Sequence, residues 1–350
     1  FFNQIGSLKR LDLWKDSSLI FDLYPGAKYC LKDLSELHCN SDISSEFFYQ
    51  LSQICNNILS LNLSVGVISK GLIDLISAQE NLKCLSIFLH MHSDGDLNVL
   101  ISSLANPNKI SKLCLYTAMH CSSLSFIIEF TNLRELGLIF PTSEAFTDFE
   151  KLQYAFFPKL QILKIQRACP KYELLIKFLE NNGRNLRECY ISNEYRNSDN
   201  SLNLAIAKFC PNLRKLSIGF KNNELETMSI VYNSCQYLEI VEIWCGDEFL
   251  SESEALDAVI NYSHKNIYKI ILYYLYYTKI GIRPKELESF LISWASRVPR
   301  HPLSLVINHC LYINDSIDTN DENMNLIKKY IKFGVVKEFK VTNSSDNEFI

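Results

Sequence analysis

Cys210-Pro211-Asn212-Leu213-Arg214-Lys215-Leu216-Ser217-Ile218 is the stretch that decides the fold. It contains a core pattern that begins at Leu213 and has apolar residues at its first, fourth and sixth positions. The pattern recurs along the chain, with first positions at Leu8, Leu34, Ile58, Leu82, Ile110, Leu133, Leu160, Leu186, Leu213, Leu238 and Ile267. Two looser copies begin at Pro302 and Val336. The chain is therefore predicted to contain thirteen copies of one unit.

The spacing of these copies indicates the kind of repeat. Successive copies begin 23 to 29 residues apart as far as Ile267, and the last two steps are 35 and 34 residues. This step is typical of a leucine-rich repeat. In a strand, alternate residues face opposite sides, so the fourth and sixth positions share one face and positions three, five and seven share the other. Stretches of helical period, such as 202–209 and 224–232, precede most cores, and each repeat is predicted to hold one helix and one strand.

One repeat cannot bury its apolar face alone, so the repeats are expected to stack. The sequence predicts an α/β leucine-rich-repeat solenoid, a ribonuclease-inhibitor-like horseshoe with a parallel sheet on the concave face and helices on the convex face. Residues 1–342 are predicted to form one such domain, in which the repeats after residue 267 are longer and irregular. Residues 343–350 are predicted to form a disordered tail. The chain does not begin with Met and its first repeat has no polar cap, so we expect further sequence upstream of Phe1.

Composition narrows the classes of function. Apolar residues make up 47% of the chain and charged residues 21%, and the net charge of −4 gives no general attraction to nucleic acid. No apolar run is long enough to span a membrane, and the start lacks the pattern of a signal peptide. The twelve cysteines show no metal-binding spacing. Cys39 and Cys189 replace core residues, and Cys55, Cys210 and Cys235 precede cores by three residues. We interpret them as small buried hydrophobes in a reducing, cytoplasmic or nuclear, compartment.

Catalytic signatures are absent from the sequence. It contains no G-x-S-x-G, G-x-x-x-x-G-K-[ST], H-E-x-x-H or G-x-G-x-x-G motif. The nearest approach to a metal site is His90-x-His92 with Asp94 and Asp96, and we interpret it as a solvated loop because no spacing fixes a third ligand. The prediction is a protein that is not an enzyme and has no catalytic residues, metal or cofactor.

Aromatic side chains at position seven are the most informative residues on the predicted concave face. They are Trp14, Phe88, Tyr116, Trp244 and Tyr273. Exposed Trp and Tyr residues are frequent anchors of protein interfaces. The alternative is that each ring packs under a loop of its own repeat. We predict that Trp244 and Tyr273, on adjacent strands and flanked by Glu242 and Lys269, form a protein-binding site, to which Tyr190 and Lys215 also belong.

Nucleic-acid and membrane partners are not predicted. The run Tyr273 to Tyr277 suggests base stacking at first sight, but neighbours in a strand point to opposite faces. No cluster of Lys and Arg surrounds the run to hold phosphates.

Cysteine-containing repeats with the phrase Cys-Pro-Asn-Leu-x-x-Leu-x-Ile resemble the repeat region of F-box/leucine-rich-repeat proteins. The later repeats look like the expanded F-box-like families of some fungi, in the stretches 223–226, 243–247, 273–276 and 286–290. The resemblance implies a substrate receptor of an SCF-type ubiquitin ligase. In such a receptor an F-box docks on the Skp1 adaptor, and the repeats hold a protein destined for ubiquitin-dependent degradation.

The F-box itself is not found in these 350 residues, and we expect it upstream of Phe1. Two alternatives remain. One is a stand-alone leucine-rich-repeat scaffold or inhibitor with no role in a ubiquitin ligase. The other is a GTPase-activating leucine-rich-repeat protein, which would need a more acidic tail than this chain has.

Overall fold

A computed structural model describes residues 6–14, 26–90, 97–117, 123–192, 200–246, 248–274, 281–297, 301–309 and 316–343. The chain divides into two compact units, residues 1–174 (the first unit) and 175–350 (the second unit). In each unit the strands are parallel and hydrogen-bond to one another in sequence order. Among the described helices, none is long and apolar enough to cross a lipid bilayer.

The first unit alternates strands with short helices. Its strands are β1 (Arg10–Leu13), β2 (Glu36–Asn40), β3 (Ser60–Val65), β4 (Cys84–Leu89), β5 (Lys112–Thr117), β6 (Glu135–Phe140) and β7 (Ile162–Arg167). Its helices are α1 (Ala27–Leu31), α2 (Ser45–Ile54), α3 (Lys70–Ser77), α4 (Leu97–Ser102) and α5 (Phe149–Leu152).

The second unit has longer helices. Its strands are β8 (Glu188–Ile191), β9 (Lys215–Ile218), β10 (Ile240–Cys245), β11 (Lys269–Tyr274), β12 (Leu303–His309) and β13 (Val336–Asn343). The helices around them are α6 (Tyr172–Asn182), α7 (Asn200–Phe209), α8 (Leu225–Ser234), α9 (Glu252–Tyr262), α10 (Pro284–Ala295) and α11 (Asp321–Lys332).

Strand β3 shows how the repeat pattern builds the sheet. Leu61, Leu63 and Val65 are buried, and the residues between them are half-buried. The strand therefore has one face packed on the core and one open face, as alternation requires. The buried set extends to the eighth position, here Val65, which is one residue beyond the predicted pattern. Parallel strands, one per repeat and alternating with helices, confirm the leucine-rich-repeat fold.

Capping residues explain where several helices begin and end. Helix α9 starts with a capping box in which the Ser251 hydroxyl accepts the Glu254 N–H and the Glu254 carboxylate accepts the Ser251 N–H. Helix α10 has Pro284 as its first residue, a position where the missing N–H costs nothing. Beyond α11, Gly334 has a φ of 69°, which suits a glycine that ends a helix.

Two expectations about helices are wrong. In the repeat that begins at Ile110, residues Leu124–Glu129 form a 3₁₀ helix and not an α-helix. This repeat is the shortest, with a step of 23 residues, so it has the least chain for a helix. The polar, acidic segment 311–323 predicts a linker before a helix at 325–333. Helix α11 instead begins at Asp321, because the Asn320 side chain caps it by accepting the N–H groups of Glu322 and Asn323.

The cysteines of the described residues confirm their predicted packing role. The ten that the structure describes are free thiols. Cys39, Cys55, Cys189, Cys210 and Cys235 are buried. Burial raises the pKa of the Cys55 thiol to about 12, and the Cys55 S–H donates to the Leu31 carbonyl of the previous repeat at 2.8 Å. A neutral buried thiol of this kind is a packing residue with low nucleophilicity.

Candidate protein-binding face

The open face, meaning the sheet face that carries positions three, five and seven, brings most of the predicted site residues together in the second unit. Strands β8 to β11 are in register across this face: Glu188 pairs with Lys215, Lys215 with Ile240, and Ile240 with Lys269. Further along the same strands, Trp244 lies directly opposite Tyr273. Six predicted residues therefore share one patch, namely Tyr190, Lys215, Glu242, Trp244, Lys269 and Tyr273.

Trp244 differs from its expected place on an exposed surface, because it is only 3% exposed. The loop that follows β10 folds back and packs Phe249 against the indole, with the ring centroids 5.3 Å apart and nearly perpendicular. The Trp244 ring therefore packs under a loop of its own repeat, which is the alternative to an exposed binding position. Trp244 therefore supports the patch from within, and Tyr273, 6.3 Å away between centroids, is the more exposed ring.

Gly219 makes this packing possible. It occupies position seven of the preceding repeat, where a side chain would stand on the open face. A Cβ at this residue would lie 2.4 Å from Phe249 Cε1 and 2.8 Å from Trp244 Cε3. The two rings fill the space that a side chain would take, and the sequence gives no sign of this beyond the glycine itself.

The charged side chains of the patch interact with one another and with Tyr190. Burial raises the pKa of the Glu242 carboxyl, against the opposing effects of Lys215, the Ser217 hydroxyl and Lys269. The Lys215 ammonium also lies 4.6 Å from the centroid of the Tyr190 ring. The Tyr190 hydroxyl in turn donates to Glu188 at 2.6 Å. The patch is a network of rings and charges held on a rigid sheet.

The first unit holds the other predicted residues in two separate places. Phe88 is 37% exposed, with its ring 6.4 Å from Tyr116 and 5.7 Å from His90. Trp14 is 55% exposed and stands edge-on to His38, 6.3 Å away. Strands β2 and β3 separate Trp14 from Phe88, so these aromatics do not form one cluster.

Two histidines lie beside these aromatic residues of the first unit. His38, at position five, lies 3.1 Å from an Asp12 carboxylate oxygen. His90, which follows β4, is hydrogen-bonded to the Ser64 hydroxyl. Sequence reasoning did not single out His38 or His90 as members of these aromatic clusters, although the position-five spacing places His38 on this face.

Strand alternation is confirmed at the tyrosine run. Tyr273 is partly exposed on the open face, and its neighbour Tyr274 is fully buried on the other. Tyr276, Tyr277 and the other residues of 275–280 lie outside the described part of the chain, as do His92, Asp94 and Asp96. In the described residues, no group of three His, Cys, Asp or Glu side chains is arranged to hold a metal ion.

A buried carboxyl lies on the helix side of the second unit. Glu252, at the start of α9, accepts hydrogen bonds from the N–H groups of Ile282 and Ile317 and from the Tyr274 hydroxyl. Burial raises the pKa of Glu252 to about 7, although the two backbone donors act in the opposite direction. This carboxyl fastens segments of the two following repeats to α9 and has no access to the open face, so we assign it a structural role.

Comparison with known proteins gives a likeness of fold. The chain is similar to the solved structure of the leucine-rich-repeat-containing protein LegL7 from Legionella pneumophila, with 16% identity over 85% of this chain and 93% of that chain and a TM-score of 0.37. No protein-family model matches the chain. No curated protein matches it either.

Proposed function

We propose that this chain is a protein-binding repeat module, and that the open face of β8 to β11 is its principal contact surface. The proposal is carried by one observation, the contiguous patch of Tyr190, Lys215, Glu242, Lys269 and Tyr273 on adjacent strands in register. Rings and charges fixed on strands lose little conformational freedom on binding, which favours a specific protein interface. Trp244 supplies the buried floor of this surface.

The finer proposal is that the module is the substrate-recognition region of an F-box subunit of an SCF-type ubiquitin ligase. Its support is the sequence resemblance of the Cys-Pro-Asn-Leu repeats to F-box/leucine-rich-repeat proteins. In this proposal the open face holds the protein substrate, and a Skp1-type adaptor binds only through an F-box upstream of this chain. The free buried thiols suit the reducing cytoplasm or nucleus where such ligases work.

The binding surface is tested with a double variant, Tyr190→Ala with Tyr273→Ala, expressed as an affinity-tagged chain in parallel with the wild type. Proteins bound by the wild type and identified by mass spectrometry should be lost from this variant. The matched control is Tyr237→Ala with Tyr262→Ala, which removes two exposed tyrosines of the same unit that lie off the strands. Equal binding by both double variants would refute the assignment of the open face.

The ubiquitin-ligase role is tested separately, with tagged Skp1 and two forms of the protein. The full-length gene product should bind Skp1, and the 350-residue chain alone should not. If neither form binds Skp1, the chain is a stand-alone scaffold or inhibitor, and the ligase assignment is wrong.

A further inference from the structure

A stripe of cations lies along the edge of the first unit where strands β4 to β7 begin. Lys83 and Arg134 occupy the second position of their repeats, and Lys109 and Lys159 the residue just before the first position. Each of the four consecutive repeats therefore contributes one cation, and all four side chains are exposed. We call Lys83, Lys109, Arg134 and Lys159 the basic edge.

Strand register places two of these residues, Lys83 and Arg134, in one row. Cys84, Lys112, Glu135 and Ile162 are partners across β4 to β7, so the residues before them form one row: Lys83, Ser111, Arg134 and Gln161. Neighbouring strands are about 4.8 Å apart, and the four repeats span about 14 Å. In this row neither cation has a carboxylate beside it.

Asparagine side chains hold Lys109 and Lys159, which lie two residues before this row. Lys109 donates to the Asn81 side-chain oxygen at 3.0 Å, and Lys159 donates to that of Asn132 at 2.6 Å. Each ammonium has three N–H donors, so two remain for a ligand. The side chains are already partly ordered, which lowers the entropy cost of binding an anion.

Acidic residues nearby leave the basic edge unneutralised. Glu135 forms its ion pairs on the open face with Lys112 and Lys164, at 3.4 and 2.8 Å. Glu80 and Glu129 belong to the same loops, yet across the described residues no ion pair joins them to any member of the basic edge. In the second unit two arginines, Arg187 and Arg214, occupy the second position of their repeats, and Arg214 is neutralised by Glu239 of the next repeat at 2.9 Å.

On the premise that the chain binds protein, we propose that the basic edge captures an acidic, extended segment of the partner, a run of about four or five Asp or Glu residues at about 3.4 Å per residue. Charge complementarity defines the class of segment, and the spacing of one cation per strand sets its length. The net charge of −4 speaks against a general polyanion site. Such an edge would speed encounter and select acidic partners, while the open face of the second unit supplies the apolar anchors.

The test uses the full 350-residue chain and a fluorescein-labelled peptide of eight glutamates, with binding measured by fluorescence anisotropy in low salt. The edge variant changes Lys83, Lys109, Arg134 and Lys159 to Gln. The control variant changes Lys265, Lys328, Lys332 and Lys337 to Gln, which are equally exposed cations of the second unit and give the same change in net charge. We expect the edge variant to bind at least about tenfold more weakly, since several modest surface contacts are lost together, and the control to stay within about twofold.

Two results would overturn the proposal: an edge variant that binds the peptide as well as the control does, or tighter, edge-dependent binding of a labelled eight-nucleotide thymidine strand, which would point to nucleic acid. The Tyr190→Ala, Tyr273→Ala variant should keep the peptide affinity of the wild type. Failure of the basic edge therefore remains distinguishable from failure of the open face as a protein-binding surface.

Discussion

Position seven of the repeat is used in opposite ways by Phe88 of the first unit and Trp244 of the second. In the first unit Phe88 stands on the open face, 37% exposed, with only Tyr116 and His90 as ring neighbours among the described residues. In the second unit Trp244 occupies the same position but is 3% exposed beneath Phe249. The backbone, strand direction and register are alike in both cases, so the repeat itself does not decide exposure.

The difference lies in the loop that follows the strand and in the residue beside the ring. After β10, Gly246 adopts a φ of 92°, and the chain returns so that Leu250 N–H bonds to the Phe220 carbonyl. Gly219, on the neighbouring repeat, leaves the space that Phe249 fills. Period-two alternation assigns a residue to a face, and the loops then determine which positions on that face remain open to a partner.

Replacement of the two aromatics by alanine should give the largest effect and measure this difference directly. We expect Trp244→Ala to lower the free energy of unfolding by about 4 kcal/mol, because it empties a buried space between Phe249 and Tyr273. Phe88→Ala should cost about 1 kcal/mol or less, because much of that ring is already in water. Urea unfolding followed by circular dichroism measures both values.

A further variant shows whether the loop is the cause of the burial of Trp244. Phe249→Ala should expose Trp244 and raise its accessibility to a fluorescence quencher, with Trp14→Phe and Trp294→Phe as background substitutions. If Trp244→Ala and Phe88→Ala cost the same, the two positions do not differ in burial and the comparison between the units is wrong.

The sequence was sufficient to predict the strands, because the same three-position pattern recurs thirteen times at steps of 23 to 35 residues. It also placed Trp244 opposite Tyr273 on adjacent strands, since the register follows from aligning the repeats. The burial of Trp244 was not predictable from the repeat pattern. It depends on Phe249, which lies five residues after Trp244, and on the space that Gly219 leaves. The 3₁₀ helix in the short repeat that begins at Ile110 was not predicted, because its apolar residues 124, 126 and 127 suit a 3₁₀ turn as well as an α-helix.

Two carboxylates, one in each unit, are held in different ways. In the first unit Glu135 lies between two lysines on the open face, whereas Glu252 of the second unit is buried and bound to Tyr274 and two backbone N–H groups. The pKa of Glu252 is about 7 in the folded chain and about 4.5 in the unfolded chain, so the folded state binds more protons between these values. The stabilisation from this group is complete below about pH 4.5 and is lost as the pH rises through about 7.

Glu252→Gln should therefore remove a pH dependence of the second unit. Between pH 4.5 and 8 the wild type should lose about 3 kcal/mol of unfolding free energy that the variant does not lose, a value that follows from the difference between the two pKa values. Calorimetry across this range, with Glu226→Gln on the exposed side of α8 as the control, measures the slope. Parallel curves for wild type and Glu252→Gln would show that this carboxyl does not titrate between these pH values.

The smallest effect concerns the arginines at the second position of the repeat. Arg214 of the second unit forms an exposed ion pair with Glu239, whereas Arg134 of the first unit has no carboxylate beside it in its row. Arg214→Gln should lower the free energy of unfolding by about 0.5 kcal/mol at low salt, the usual value of a surface ion pair. Arg134→Gln should leave stability unchanged, because no pair is broken.

High salt tests whether the difference between the Arg134 and Arg214 variants is electrostatic. In 1 M NaCl the screening length falls to about 3 Å, and the difference in stability between the two arginine variants should disappear. If Arg134→Gln destabilises the chain as much as Arg214→Gln does, then Arg134 has a partner within the protein and is not free to bind one from outside. A stable Arg134→Gln variant that binds the glutamate peptide more weakly would show the reverse, that Arg134 keeps available for a partner the charge that Glu239 neutralises on Arg214.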